Sequence, residues 1–140
     1  RRRRPAEHAA RMPMPDDGNP GPFKSRGGLR RLWLATRYSL QGLRAAFRHE
    51  AAFRQELALG LPMLTLAFWL APSRGALVAM VGSIVLVWIV ELLNSAVEAL
   101  ADSVSLQAHP LLKRAKDLGS AAVMCSLLLA AFVWAAVLWP

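Results

Sequence analysis

Five polar side chains recur along residues 91–102 in steps of one, three or four residues: Glu91, Asn94, Ser95, Glu98 and Asp102. Residues three or four apart lie above one another on a helix, so these side chains would share one face. Carboxylate and amide oxygens on one face could hold a divalent cation, and a carboxylate could take a proton from an attacking hydroxyl. The same pattern also fits a helix that has emerged into water and carries its acids on a solvated face.

The segments around this face have the composition of a membrane protein. Hydrophobic residues make up 55% of the 140-residue sequence, and an uncharged run, 75–90, leads directly into the polar face. The net charge of +8 would suit nucleic acid or an anionic membrane surface. The apolar runs favour the membrane, and no nucleic acid partner is expected. Neither a GxxxxGK[ST] loop nor a GxGxxG loop occurs, which excludes a soluble-type nucleotide fold.

The sequence predicts an all-α membrane protein with an amphipathic surface helix and three transmembrane helices. The surface helix is expected at 29–48, where apolar residues recur in steps of three and four and basic residues occupy another side of the helix. The spans are expected at 50–71, 75–103 and 113–139. Basic residues before the first span and at 113–116 fall on the same side of the membrane. The positive-inside rule makes that side, and with it the N-terminus, cytoplasmic.

Residues 1–28 are predicted to be a disordered leader outside the membrane domain, which would comprise residues 29–140. The leader begins with four arginines and is rich in proline and glycine, so it cannot bury enough apolar surface to order itself. No apolar stretch follows the arginines, which argues against a signal peptide. The arginines could contact anionic lipid, or the leader could be solvated without a specific role.

This topology brings the chemically capable groups of three segments to the cytoplasmic membrane edge. They are Glu50, Arg54, Glu56, Glu91, Asn94, Glu98, Asp102, Lys116 and Asp117. Several carboxylates beside a lysine and an amide suit phosphate chemistry with a divalent metal such as Mg²⁺. A plain ion pair across one helical turn is the alternative for Glu50 and Arg54. Asp102, at the end of the face, is predicted to be an ordinary solvated residue.

Three stretches of the sequence resemble the bacterial integral-membrane diacylglycerol kinase family. They are ELLNSAVE at 91–98, AKDLGSAAV at 115–123 and GLRAAFRHEAAFRQE at 42–56. The resemblance runs from about Arg31 to Trp139. It implies a three-span homotrimer of the bacterial cytoplasmic (inner) membrane that uses ATP with Mg²⁺ to phosphorylate diacylglycerol to phosphatidic acid. Because one small helix bundle cannot surround both ATP and a lipid, the site is expected between protomers.

The same resemblance implies roles for individual residues. Glu91 matches the general base for the lipid hydroxyl and also contacts substrate, and Glu50 and Glu98 match metal-binding carboxylates that also contact nucleotide. Further nucleotide contacts are implied at Tyr38, His109, Lys116 and Asp117, and further substrate contacts at Arg31, Gln55, Asn94 and Ser120. The loop 103–110 departs from the family pattern: Gln107 stands where an acidic residue would contact nucleotide, while His109 keeps the expected histidine.

Two other functions fit parts of the pattern. An undecaprenol kinase would use the same chemistry on a different lipid, although GSAAV at 119–123 and FRQE at 53–56 look more like the diacylglycerol branch. A non-enzymatic membrane protein could use its intramembrane acids to carry protons or ions. In such a protein the acids would be expected near the bilayer midplane. Here they are predicted to lie at one edge of the bilayer, beside a lysine.

Overall fold

The computed structural model describes residues 28–104 and 109–139, and these residues form four α-helices and no strand. The all-α prediction is therefore confirmed over the described residues. The leader up to residue 27 and Gln107 lie outside them. The helices are α1 (Gly28–His49), α2 (Ala51–Leu70), α3 (Arg74–Val104) and α4 (Pro110–Leu138). The chain divides into two units, 1–38 and 39–140, which are described separately.

The helix boundaries follow the capping chemistry of the sequence. At the start of α3, the Ser73 hydroxyl accepts a hydrogen bond from the backbone N–H of Ala76 at 3.1 Å, which satisfies one of the free donors of the first turn. Helix α4 begins at Pro110, three residues before the predicted start at 113. Pro110 suits a first helical position, and His109 Nδ1 accepts from the N–H of Leu111 at 3.3 Å. This cap accounts for the earlier start.

In the first unit, the described part of α1 exposes large apolar side chains. Leu29, Leu32 and Trp33 are all exposed, and the Arg37 guanidinium lies 5.8 Å from the centre of the Trp33 ring. Exposed apolar groups beside basic ones suit a helix in the headgroup plane of a membrane. A position on the membrane surface remains a prediction.

In the second unit, α3 is the central helix and packs against both α2 and α4. Its first part, residues 74–90, is here called the apolar half. There Met80 and Ile84 form a buried cluster with Ala67 of α2 and Trp134 of α4. The Trp134 indole N–H donates to the Met80 carbonyl at 3.4 Å, so even the polar atom of this core has a partner. Residues 91–104, which carry the acidic face, are called the polar half.

Among the described residues, α3 and α4 are long and apolar enough to cross a membrane. Only 28% of the 18-residue apolar stretch of α3 and 11% of that of α4 are buried inside the chain. The core helix of a soluble protein would be mostly buried. Helix α2 does not meet the same condition, because Arg54, Gln55 and Glu56 occupy its first turns. The first predicted span, at 50–71, is therefore helical, but its crossing of the membrane stays a prediction.

Candidate active site

Glu91 is the most enclosed carboxylate of the polar half. It is 3% exposed, and Ser95, one turn further along α3, is 9% exposed. The carboxylates of Glu50, Glu56 and Glu98 lie within electrostatic range of Glu91. The acidic face is therefore not a solvated helix surface at this level. It gathers several negative groups around one buried acid.

The amide of Asn94 is fixed between two helices. Its Nδ2 donates a hydrogen bond to Glu98 Oε1 at 3.2 Å. Its Oδ1 is buried against Gly119 of α4, which has no side chain to displace it. The amide therefore orients a carboxylate through one atom while the other atom contacts the neighbouring helix.

Three buried oxygens of this region make no hydrogen bond among the described residues: Glu56 Oε2, Asn94 Oδ1 and Ser95 Oγ. Buried polar atoms are nearly always paired in proteins, and an unpaired one costs about 1–3 kcal/mol. Such atoms are retained where they serve a function or meet a bound group. Their clustering beside Glu91 marks the polar half of α3 as a candidate site.

Glu50 joins this region from the junction of α1 and α2. It is the N-cap residue of α2, but its side chain makes no capping hydrogen bond. The Arg54 guanidinium donates to the carbonyls of Phe47 and Arg48 at 3.2 and 3.4 Å, at the end of α1. Within the described residues, the alternative ion pair of Glu50 with Arg54 is not formed, which leaves the Glu50 carboxylate to the site.

A groove of about 700 Å³ runs between residues 39–50 of α1 and residues 92–99 of α3. Most of its lining is apolar and small, as at Gly42, Ala46 and Ala96, while Glu50 and Ser95 contribute polar groups. Ser95 lies between Glu91 and Glu98 on the same helix face, so the groove runs beside the acidic face. A largely apolar groove next to a polar cluster suits an amphipathic ligand.

At the end of the polar half, Lys116 Nζ pairs with Asp102 Oδ1 at 3.0 Å. This contact joins α3 to α4. Asp102 is exposed, as predicted, but it also pairs with a lysine of the neighbouring helix. Lys113 Nζ pairs with Asp117 Oδ2 at 2.6 Å across one turn of α4. Lys116 and Asp117, two of the residues expected to contact nucleotide, thus have partners of opposite charge within the chain.

The other five predicted site residues are all exposed. Gln55 is exposed on the first turns of α2, Ser120 is exposed on α4, and His109 caps α4. Arg31 and Tyr38 belong to the first unit, where both are exposed. Roles for all five in nucleotide or substrate binding stay predictions.

Sequence reasoning missed Gly119, which lies against Asn94. The available signal was a glycine inside an apolar helical pattern. Glycine costs about 1 kcal/mol relative to alanine in a helix interior, and its presence there commonly indicates a close approach by another group.

A divalent cation fits this site when a ligand supplies further oxygens. Among the described residues, no group of three His, Cys, Asp or Glu side chains is placed to hold a metal. Mg²⁺ commonly takes one or two protein carboxylates together with substrate phosphates. Glu50 and Glu98 supply two carboxylates near Glu91, and the Asn94 amide already orients Glu98.

Two helices are long and apolar enough to cross a membrane, and one buried acid on the central helix lies within electrostatic range of other carboxylates. This combination fits an α-helical membrane protein with a candidate phosphoryl-transfer site. The family model described as prokaryotic diacylglycerol kinase matches residues 37–138 of the chain. The chain belongs to this family.

Individual relatives match nearly over their whole length. The diacylglycerol kinase of Pseudomonas aeruginosa is 51% identical over 120 residues, which cover 86% of this chain and 98% of that protein. The diacylglycerol kinase of Escherichia coli is 45% identical over 112 residues, covering 80% of this chain and 92% of that protein. The diacylglycerol kinase of Haemophilus influenzae is 43% identical over 112 residues, covering 80% and 95%.

Proposed function

We propose that this protein is a lipid kinase of the bacterial inner membrane that phosphorylates diacylglycerol to phosphatidic acid with ATP. Family membership supports the reaction. The observation in the structure that carries the proposal is the buried Glu91 carboxylate beside the hydrogen-bonded Asn94–Glu98 pair. A buried acid next to an oriented carboxylate supplies the two functions that phosphoryl transfer to an alcohol needs, a base and a metal ligand.

In the proposed reaction, the free hydroxyl oxygen of diacylglycerol attacks the γ-phosphorus of ATP. The bond between that phosphorus and the oxygen bridging it to the β-phosphate breaks, and ADP leaves. The Glu91 carboxylate takes the proton of the attacking hydroxyl. Because Glu91 is 3% exposed, water is largely kept from it, which favours transfer to the lipid over hydrolysis of ATP.

Glu50 and Glu98 would hold the Mg²⁺ ion that accompanies ATP. The bound ion supplies charge neutralisation and orientation of the phosphates. Asn94 keeps Glu98 oriented through its 3.2 Å hydrogen bond. Lys116 would contact a phosphate as a point charge, which requires it to share or leave Asp102. Tyr38, His109 and Asp117 are the further proposed nucleotide contacts.

The groove along α1 and α3 would receive the lipid. Its small apolar lining suits the glycerol backbone and the first part of the acyl chains, while Ser95 lies beside the reacting end. Arg31, Gln55 and Ser120 are proposed contacts to the lipid substrate, together with Glu91 and Asn94. The exposed apolar surface of α3 and α4 would place this groove at the level of the membrane.

In the proposed topology α2, α3 and α4 are the first, second and third spans, and the N-terminus is cytoplasmic. Helix α2 has 20 residues, about 30 Å of helix, which is enough to cross the hydrocarbon layer. We also propose a homotrimer with the site completed between protomers. The buried oxygens of the polar half that lack partners in the described chain support an additional contributor, either ligand or protomer.

The proposed reaction is tested by transfer of labelled phosphate from ATP to lipid in mixed micelles with Mg²⁺. The full chain is assayed with diacylglycerol, with undecaprenol and without added lipid. Labelled phosphatidic acid is the expected product. Product from undecaprenol but not from diacylglycerol would contradict the proposed substrate, and transfer to neither lipid would contradict a kinase function and favour an ion- or proton-handling protein.

A further inference from the structure

Helices α3 and α4 approach closely at Gly119. A methyl group added to Gly119 would overlap Asn94 Oδ1 and would lie 3.3 Å from Asn94 Cγ. It would also lie 3.8 Å from Asn94 Cα, an ordinary van der Waals distance. The conflict is therefore with the end of the amide side chain and not with the backbone of α3.

The two ends of the Asn94 amide have different surroundings. Oδ1 is buried without a hydrogen-bond partner among the described residues, and Nδ2 donates to Glu98 Oε1 at 3.2 Å. A buried oxygen without a partner is unfavourable, so a hydrogen bond to Oδ1 does not account for the position of the amide. In its present position, the space left by the missing side chain of Gly119 accommodates Oδ1 while Nδ2 reaches Glu98.

We infer that Gly119 is a positioning residue that sets the orientation of Asn94 and, through Asn94, of Glu98. This inference rests on the proposed function, in which Glu98 holds the metal that accompanies ATP. A side chain at residue 119 would push the amide out of its position and break its hydrogen bond to Glu98. Loss of a residue that orients a metal ligand typically weakens metal binding about 10- to 100-fold.

A purely structural glycine would behave differently. Gly60 of α2 faces the rigid ring of Trp88, and a methyl group there would lie 2.7 Å from Trp88 Cζ2. That conflict can be relieved only by moving the ring or the helices, so it would lower stability. At Gly119 the amide can rotate away, and alanine is also the better helix former. The expected defect is therefore in ligand binding more than in folding.

The test compares Gly119→Ala with Gly82→Ala in the full-length chain in detergent micelles. Gly82 is an exposed glycine of α3 with no atom within 4 Å of an added methyl group, so it controls for the substitution itself. Binding of a non-hydrolysable ATP analogue with Mg²⁺ is measured by calorimetry, and thermal unfolding is measured alongside. Gly119→Ala is expected to weaken analogue binding at limiting Mg²⁺ by about tenfold or more, and Gly82→Ala to leave it unchanged.

The Asn94→Ala background shows whether Gly119 acts through the amide. Once the amide is absent, Gly119→Ala should cause no further loss of analogue binding and no further fall in thermal midpoint. Normal analogue binding by Gly119→Ala would overturn the inference, and so would an equal loss in both backgrounds. If Gly119→Ala alone does not fold, the inference requires the Asn94→Ala/Gly119→Ala protein to fold, and failure of both overturns it.

Measurements on the wild-type protein distinguish a failure of this inference from a failure of the proposed function. Wild-type protein that binds the analogue but does not phosphorylate diacylglycerol would contradict the proposed reaction and still leave the effect of Gly119 on binding measurable. Absence of coupling between residues 94 and 119 in analogue binding, with normal kinase activity in the wild type, would overturn the inference alone.

Discussion

The two halves of α3 differ in whether their buried polar atoms are hydrogen-bonded. In the apolar half, Ser83 Oγ donates to the Met80 carbonyl at 2.8 Å, and the Trp134 indole donates to the same carbonyl at 3.4 Å. In the polar half, Asn94 Oδ1 and Ser95 Oγ are buried without partners among the described residues. One helix thus combines a self-sufficient core with a region whose polar groups are incompletely paired.

This contrast separates what holds the protein together from what the protein uses. The apolar half joins three helices in a cluster that includes Met80, Ile84 and Trp134, and the polar atoms of this cluster are hydrogen-bonded within the chain. The polar half carries Glu91 within range of other carboxylates, an arrangement that repels itself unless a cation or a proton is present. Substitutions in the apolar half should change stability, and substitutions in the polar half should change binding or turnover.

The largest expected effect is that of Glu91→Gln on turnover. The amide keeps the size of the side chain but cannot take the proton of the lipid hydroxyl, so turnover should fall by about 100- to 10,000-fold. Labelled phosphate transfer to diacylglycerol measures this loss, and Ser83→Ala in the apolar half is the control that should retain turnover. Near-normal turnover of Glu91→Gln would show that Glu91 is not the base.

A second, smaller effect is expected from Gly60→Ala, which tests the apolar half. The added methyl group would meet the Trp88 ring at 2.7 Å and Ile84 Cγ2 at 3.0 Å. Overpacking of this kind should lower the free energy of unfolding by about 1–3 kcal/mol. Thermal unfolding in micelles measures the change, and turnover of the folded fraction should stay normal. Unchanged stability with impaired turnover would contradict the division between the two halves.

The smallest effect is expected from Asp102→Asn at the far end of the polar half. The substitution removes the charge that pairs with Lys116 at 3.0 Å, and both side chains are partly exposed. The KM for ATP with Mg²⁺ should change by about two- to fivefold, the range of an exposed ion pair, with little change in kcat. Steady-state kinetics measures both constants. Loss of kcat comparable to that of Glu91→Gln would give Asp102 a role in the chemical step.

Much of this fold follows from periodicity in the sequence. The surface helix was predicted at 29–48 and lies at Gly28–His49, and the central helix was predicted at 75–103 and lies at Arg74–Val104. The acidic face of α3 was predictable for the same reason, because residues three and four apart must share a face. Periodicity reports which side chains lie together on one helix, and these predictions required nothing more.

Contacts between helices could not be predicted in this way. The pairing of Asp102 with Lys116 and the approach of Gly119 to Asn94 depend on how far α3 and α4 are shifted and rotated against each other. The start of α4 depended on a local cap at His109, whose side chain is not a common capping group. Likewise, Arg54 donates to the end of α1 across Glu50, whose backbone is extended between the two helices, a geometry that spacing alone does not specify.

The central claim is that two carboxylates of the polar half have different functions, Glu91 in the chemical step and Glu98 in metal binding. Calorimetric titration of Glu91→Gln and Glu98→Gln with a non-hydrolysable ATP analogue and Mg²⁺ tests it most directly. Glu91→Gln should bind the analogue as the wild type does, while Glu98→Gln should bind about tenfold more weakly or worse, because a metal ligand has lost its charge. Equal affinity of both variants, or a loss confined to Glu91→Gln, would contradict this division.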